Sequence, residues 1–392
     1  MTPWTLLALA GVFGALVGSF LNVAVDRSIA GRSLAYPPSA CDSCGRRLRP
    51  WELIPVLSWL ALRGRCAGCG VRLSVQYPLV ELGGAGLAAL SVFLLGPSLL
   101  AAAVFAGLAA LFAAALVDSK TKELPDGMVL GAAGLATLLA VAVVSVTSGA
   151  PSAAAALLYG GVAAGALGLL DALFTWLLRG GRARRFASAA DYPFAAVPLT
   201  LGALLAPWVA GEASWLLAAF AVTVVYGVVV FRTPLHDRAA RMLSALEVPL
   251  LVVTLVTLVA RAVTAGGVDT LLTALAWFGV SLMGLAAVWA PALLDGPRRA
   301  RLAALEASEA GDPVAVGFGD IKYAFMLGAL LTVALGTSGV AAAALWLVPT
   351  SAVLAVTLSA LKVKVLPFGP LIFVAGVLAL LFPAWPLAVL GF

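Results

Sequence analysis

WTLLALAGVFGALVGSFLNVAV (Trp4–Val25) contains no charged residue and meets the length of about 20 residues that a helix needs to cross a bilayer. No basic region precedes it, and Arg27 stands behind it. A cleaved signal peptide has the reverse flanks and a small-residue cleavage site, so the stretch reads as a retained helix. A polar segment follows, from Asp26 to about Tyr77. Apolar windows then recur at 78–97, 99–117, 127–147, 152–178, 194–211, 213–232, 244–264, 270–294, 321–337, 338–360 and 367–390. The expected fold is all-α: a polytopic membrane bundle of about twelve helices with one small polar domain between the first two.

Composition agrees. Of 392 residues, 63% are hydrophobic and 11% charged, and the mean hydropathy is +1.09. A soluble domain has about 45–50% apolar and about 25% charged residues. These values exclude a soluble enzyme, a disordered chain and a secreted disulfide scaffold. Alternating ten-residue strands are absent, which excludes an outer-membrane barrel. The net charge of +6 lies in the loops, so it reads as topology and contact with anionic lipid, with no nucleic-acid partner expected. If the 26–77 segment is cytoplasmic, the same side receives Lys120 and Lys122, Arg179 to Arg185, Arg232 to Arg241, Arg298 to Arg301, and Lys362 and Lys364. The opposite loops are nearly free of Lys and Arg, with Arg261 the exception. That asymmetry predicts an outside N-terminus.

The polar segment holds all four cysteines, in CDSCG (Cys41, Cys44) and CAGCG (Cys66, Cys69). Two C-x2-C pairs, each followed by glycine, supply four thiolates for a tetrahedral structural zinc. Such a site has no open position for catalysis and instead folds a domain with little core of its own. A redox dithiol pair or metal-free thiols are the competing readings.

Two acids stand at the predicted cytoplasmic interface: Asp118 in LVDSKTKELPDGM and Asp320 in GFGDIKYAFMLG. Ionisable groups at such places are costly and commonly functional. Two converging carboxylates share one proton, so that one serves as base and the other as acid in aspartic-protease chemistry. For either residue alone, helix capping or snorkelling is the competing reading. Asp126 suits a cap of the fourth helix. Asp171, inside the fifth, is a functional or a local structural residue. Glu81 reads as interfacial, Lys322 as a neighbour tuning a carboxylate or a marker of the inside end, and His236 as a solvated loop residue.

The run FGALVGSFLNVAVDR (Phe13–Arg27), CDSCG, and IPVLSWLALRGRCAGCGVRLSVQYPLVEL (Ile54–Leu82) closely resembles the N-terminal region of bacterial type IV prepilin peptidases. The D-x6-PD pattern of Asp118, Pro125 and Asp126, the GFGDIK motif (Gly317–Lys322) and LPFGP (Leu366–Pro370) are similar to that family's peptidase half and occur in family order. The resemblance implies an aspartyl endopeptidase of the bacterial inner membrane. It would cut the leader from type IV prepilins and pseudopilins at the cytoplasmic face, with Asp118 and Asp320 matching the catalytic pair. Many members also methylate the new N-terminus with S-adenosylmethionine, an activity associated with the zinc domain. Pilus or secretion assembly machinery is a further expected partner.

The domain plan is then 1–25 for the first helix, 26–77 for the tetracysteine domain, and 78–150 for the first peptidase part. An inserted bundle at 151–294 and a second peptidase part at 295–392 complete it. The insertion departs from the family, whose two aspartates are separated by a short helix pair. The surplus of about four helices is even, which returns Asp320 to the side of Asp118. A secondary transporter and a non-catalytic membrane scaffold are the rival classes.

Overall fold

The computed structural model describes residues 2–148 apart from 35, 37, 122, 123 and 126, residues 155–167 apart from 157, and 318–336 and 368–383. A few single positions between these stretches are described as well. The windows at 194–211, 213–232 and 244–264, with Asp126, Asp171 and His236, lie outside the described residues.

Among the described residues the structure is helical. Helix α1 spans Pro3–Ile29, α2 Leu57–Ala61, α3 Gln76–Leu95, α4 Leu99–Thr121 and α5 Gly134–Ser148, the last preceded by a π-helical turn over Gly127–Ala133. Helix α6 spans Leu158–Leu167, α7 Phe318–Leu335 and α8 Phe368–Leu381. Four stretches are long and apolar enough to cross a membrane: α1, α3, α4 and Gly127–Thr147. The described part thus carries four of the spans expected from the sequence.

Helix α1 begins at a Thr2 cap, whose hydroxyl oxygen accepts the Thr5 N–H at 3.4 Å, with Pro3 in the first turn. It runs a full turn past the apolar window and ends with Arg27 in its last turn, where a cation complements the helix dipole. In lipid the hydrophobic effect does not select one apolar helix as partner for another; close approach does. Gly14 and Gly18 lie one turn apart on α1, against α3. A Cβ at Gly14 would overlap the Gly84 carbonyl, and one at Gly18 would lie 2.6 Å from the Val80 carbonyl oxygen. Buried Asn22 then donates to the Tyr77 carbonyl at 3.2 Å, fixing the register of the two helices where the polar segment leaves and returns.

The chain divides into two compact units: 1–150 with 345–382, and 151–344 with 383–392. In the first, α4 is the inner helix, rich in Ala and Gly and buried along most of its length. Helix α8 packs on it, with the Phe112 and Phe373 rings stacked at 5.2 Å. In the second, α7 is buried from Asp320 to Thr332. A Cβ at Gly160 of α6 would lie 2.9 Å from the Phe325 carbonyl oxygen of α7.

Replacing Gly18 with Leu should destabilise the chain in detergent by roughly 1–3 kcal/mol, the cost of overpacking a close contact. Gly11→Leu, where nothing lies within 4 Å of the added Cβ, should be neutral. Thermal unfolding of the two variants checks this; equal melting temperatures would refute the close-packing account.

Candidate functional sites at the inner ends of the helices

The four cysteines converge. Their Sγ atoms all lie within 4.8 Å of one another, with Cys41 and Cys66 buried and Cys44 and Cys69 exposed. Two copies of one local structure build this cluster. In the first, Cys41 N–H donates to the Arg46 carbonyl at 2.9 Å, Gly45 N–H to the Cys41 carbonyl at 2.8 Å, and Leu48 N–H to the Ser39 carbonyl at 3.0 Å. In the second, the same bonds run from Cys66 to Val71, from Gly70 to Cys66 and from Leu73 to Gly64, at 2.8–2.9 Å. Gly45 and Gly70 sit at φ 69° and 74°, where a side chain would be strained. Amide N–H groups of Cys69 and Gly68 hold the Cys66 thiol down to about 6. Four sulfurs at this spacing suit a thiophilic ion in tetrahedral coordination.

Between the knuckles, Glu52 accepts Arg46 through both carboxylate oxygens at 2.7 and 3.1 Å, and the Arg49 N–H at 2.7 Å. The Arg46 guanidinium, with the Arg49 amide second, holds the Glu52 carboxyl below its usual range. Glu81, expected at the interface, is buried at 7% exposure and accepts the Val56 N–H at 2.7 Å. Val56 has φ 61° and ψ −51°, and Leu57 N–H donates to the Pro55 carbonyl at 2.6 Å. This γ-turn is a strained shape for a β-branched residue. Glu81 on α3 therefore pins the knuckle domain to the membrane helices.

Asp118 is 5% exposed in the last turn of α4. A carboxylate there opposes its own helix dipole. The sequence compensates from a distance: the Gly369 N–H, at the start of α8, donates to Asp118 Oδ2 at 3.1 Å. A Cβ at Gly369 would lie 3.0 Å from that same oxygen. LPFGP thus supplies an amide donor and a helix N-terminus to the acid. Two residues on, Lys120 pairs with Asp26 of α1 at 2.7 Å, a half-exposed bridge between the inner ends of two spans.

Asp320 is 9% exposed in the first turn of α7, beside buried Lys322 and Tyr323. Asp118 belongs to the first compact unit and Asp320 to the second. Sequence reasoning missed the Gly369 donor, the Asp26–Lys120 pair and the burial of Glu81. Only the first left a signal, in LPFGP.

Residues 12–95 match the family model of the bacterial peptidase A24 N-terminal domain. The chain is 42% identical over 149 residues to the prepilin leader peptidase/N-methyltransferase of Burkholderia pseudomallei strain 1026b, a match covering 32% of this chain and 48% of that protein. To the protein of the same name from Pseudomonas putida it is 41% identical over 160 residues, 33% and 56% of the two chains. To that from Myxococcus xanthus it is 58% identical over 71 residues, 18% and 21% of the two. The chain spans about half the length of the first two relatives. No solved structure matches it. The resemblance drawn from the motifs is borne out, and the matched domain covers α1 from residue 12 onward, both knuckles and α3.

Cobalt loading of the purified chain should give the visible absorption of a tetrahedral thiolate site at one ion per chain. Cys66→Ser should lower both ion content and resistance of residues 30–75 to protease. An unchanged ion content in Cys66→Ser would refute the site.

Proposed function

We propose that this chain is a membrane-bound aspartyl endopeptidase that removes the leader of type IV prepilins and pseudopilins and then methylates the new N-terminus. The observation that carries the peptidase reading is buried Asp118, held by the Gly369 amide at the inner end of an apolar span. The relatives' shared name supports the substrate class and the second activity.

In this reading Asp118 and Asp320 meet at the cytoplasmic membrane face and share one proton. One carboxylate takes a proton from the attacking water; the other delivers one to the leaving amine as the peptide bond breaks. The Gly369 N–H stays on Asp118 Oδ2 throughout and fixes which oxygen faces the water. An apolar groove of about 1340 Å³ runs between α1 and α4 down to Pro125, Gly127 and Met128. It offers the prepilin's apolar helix a berth in the bilayer, with the leader at the cytoplasmic surface.

The four cysteines would hold a structural zinc that keeps the knuckle domain folded over the ends of α1 and α3. S-adenosylmethionine would supply the methyl group for the freed amine and would leave as the neutral thioether, with the amine's proton passing to water. The chain would sit in the inner membrane, with the N-terminus outside and both the zinc and aspartate loops cytoplasmic.

Co-expression with a prepilin from the same genome, read by mass spectrometry, tests the proposal. The wild type should remove the leader and add one methyl mass. Asp118→Ala and Asp320→Ala should each lower cleavage roughly 10³-fold or more, as loss of a reacting group does. Gly369→Ala should lower it less, by displacing Asp118 Oδ2. An uncut prepilin beside folded wild-type enzyme, or full cleavage by either aspartate variant, would overturn the peptidase reading.

A further inference from the structure

A second cavity, about 250 Å³, lies between the knuckles and the inner ends of α1 and α3. It approaches the lower bound of small-molecule sites, roughly 300 Å³, and takes a nucleoside moiety, with the rest of a larger ligand reaching the exposed rim at Arg32 and Asp42. The Arg46–Glu52 pair forms one wall and Cys41 and Cys66 another, so the cysteine cluster shapes it directly. Asp26 and Glu81 close it toward the membrane, already engaged by Lys120 and the Val56 N–H.

Besides the Arg46 Nε, which is also buried without a hydrogen-bond partner, three lining groups remain unmatched. The Trp59 indole Nε1–H is buried with no hydrogen-bond acceptor. A buried donor left this way is costly, and a ligand acceptor would recover that cost. The Asp42 carboxylate and the Arg32 guanidinium are exposed, and neither makes an ion pair or side-chain hydrogen bond among the described residues. The Tyr77 ring completes the lining. One pocket therefore presents an anion, a cation, an unfilled N–H donor and two aromatic faces.

We propose that this cavity binds S-adenosylmethionine, with Asp42 receiving its cationic end, Arg32 its carboxylate, and Trp59 and Tyr77 its adenine. The proposal rests on the methyltransferase half of the reading above. Asp42 is chosen for the cation because a carboxylate beside a sulfonium or ammonium forms a charge-assisted contact. Arg32 offers the planar fork that a carboxylate fits. The Tyr77 ring offers a face on which a purine stacks, and the Trp59 Nε1–H, which lies in its own ring plane, donates edge-on to a purine ring nitrogen. Position supports the assignment too. The Asp26 wall is salt-bridged to Lys120, two residues past Asp118. The methyl donor would thus sit one ion pair and less than one helical turn from the proposed cleaving carboxylate, where the new amine is released. A cavity walled by the cysteine cluster also makes methylation depend on the metal that holds the knuckles.

The test is binding to the full-length, metal-loaded chain in detergent, by equilibrium dialysis with radiolabelled S-adenosylmethionine and by ultraviolet cross-linking with peptide mapping. The label should map to a peptide containing Trp59 or Tyr77. S-adenosylhomocysteine should displace it and ATP should not. Asp42→Asn and Arg32→Gln should each weaken retention roughly tenfold or more, the loss of one charge-assisted contact. Trp59→Phe, which keeps the ring and removes the donor, should weaken it by less. Metal content and helical circular dichroism show which variants are folded, and the two charge variants give independent readings. Label mapping elsewhere, displacement by ATP, or wild-type affinity in both folded charge variants would overturn the site. Leader cleavage by the wild type, followed in the same preparation, separates the failures. A chain that cleaves but retains no label refutes this site and the methyl-transfer reading, whereas one that binds the label at this site but does not cleave refutes the peptidase reading alone.

Discussion

In a bilayer every apolar helix is already surrounded by solvent of its own kind, so the pair that forms is the pair whose backbones come closest. In this protein that constraint falls on Gly14 and Gly18 of α1 against Val80 and Gly84 of α3. Much of the first unit follows from it. The crossing brings the end of α1 beside the start of α3, where Asn22 ties the two helices through the Tyr77 carbonyl. The intervening polar chain is then a closed loop over the membrane surface, and a loop of that length needs its own organising centre. The two cysteine knuckles provide it, and Glu81 fastens it to α3 through the Val56 amide.

The buried carboxylate depends on the same economy of donors. Asp118 sits at the unfavourable end of α4. It accepts a hydrogen bond from Gly369, 251 positions further along the chain. The tight contact at that glycine leaves little room to slide, so α8 is registered against α4 by a polar contact at one end and by the Phe112–Phe373 stack deeper in the span. A single acid thereby positions a helix as well as serving the proposed chemistry.

What could be read from the sequence was what repeats or accumulates. Uninterrupted apolar runs gave the spans of α1, α3 and α4 nearly to their ends, because a bilayer imposes length on any helix that crosses it. The C-x2-C-G pairs gave the cysteine cluster, because each pair closes within a few residues. What could not be read was contact between residues far apart in the chain. The LPFGP motif marks the stretch, but nothing local says that its Gly369 amide meets Asp118. Asp26 and Lys120 are ordinary charges until α1 and α4 are side by side. Glu81 looked interfacial since its partner is a main-chain N–H, which carries no sequence signature. Asp118 and Asp320 are each visible in their own motif, as are the cysteines.

The two knuckles are related by one constant shift along the chain: Ser39 to Gly64, Cys41 to Cys66, Cys44 to Cys69, Gly45 to Gly70 and Leu48 to Leu73. Each closes through bonds internal to itself, so each is a self-contained half of a clasp. Neither half alone has four sulfurs, yet neither needs the other to take its shape. The segment joining them can therefore vary in length at little cost beyond loop closure, while within a half even one added or lost residue would break the clasp.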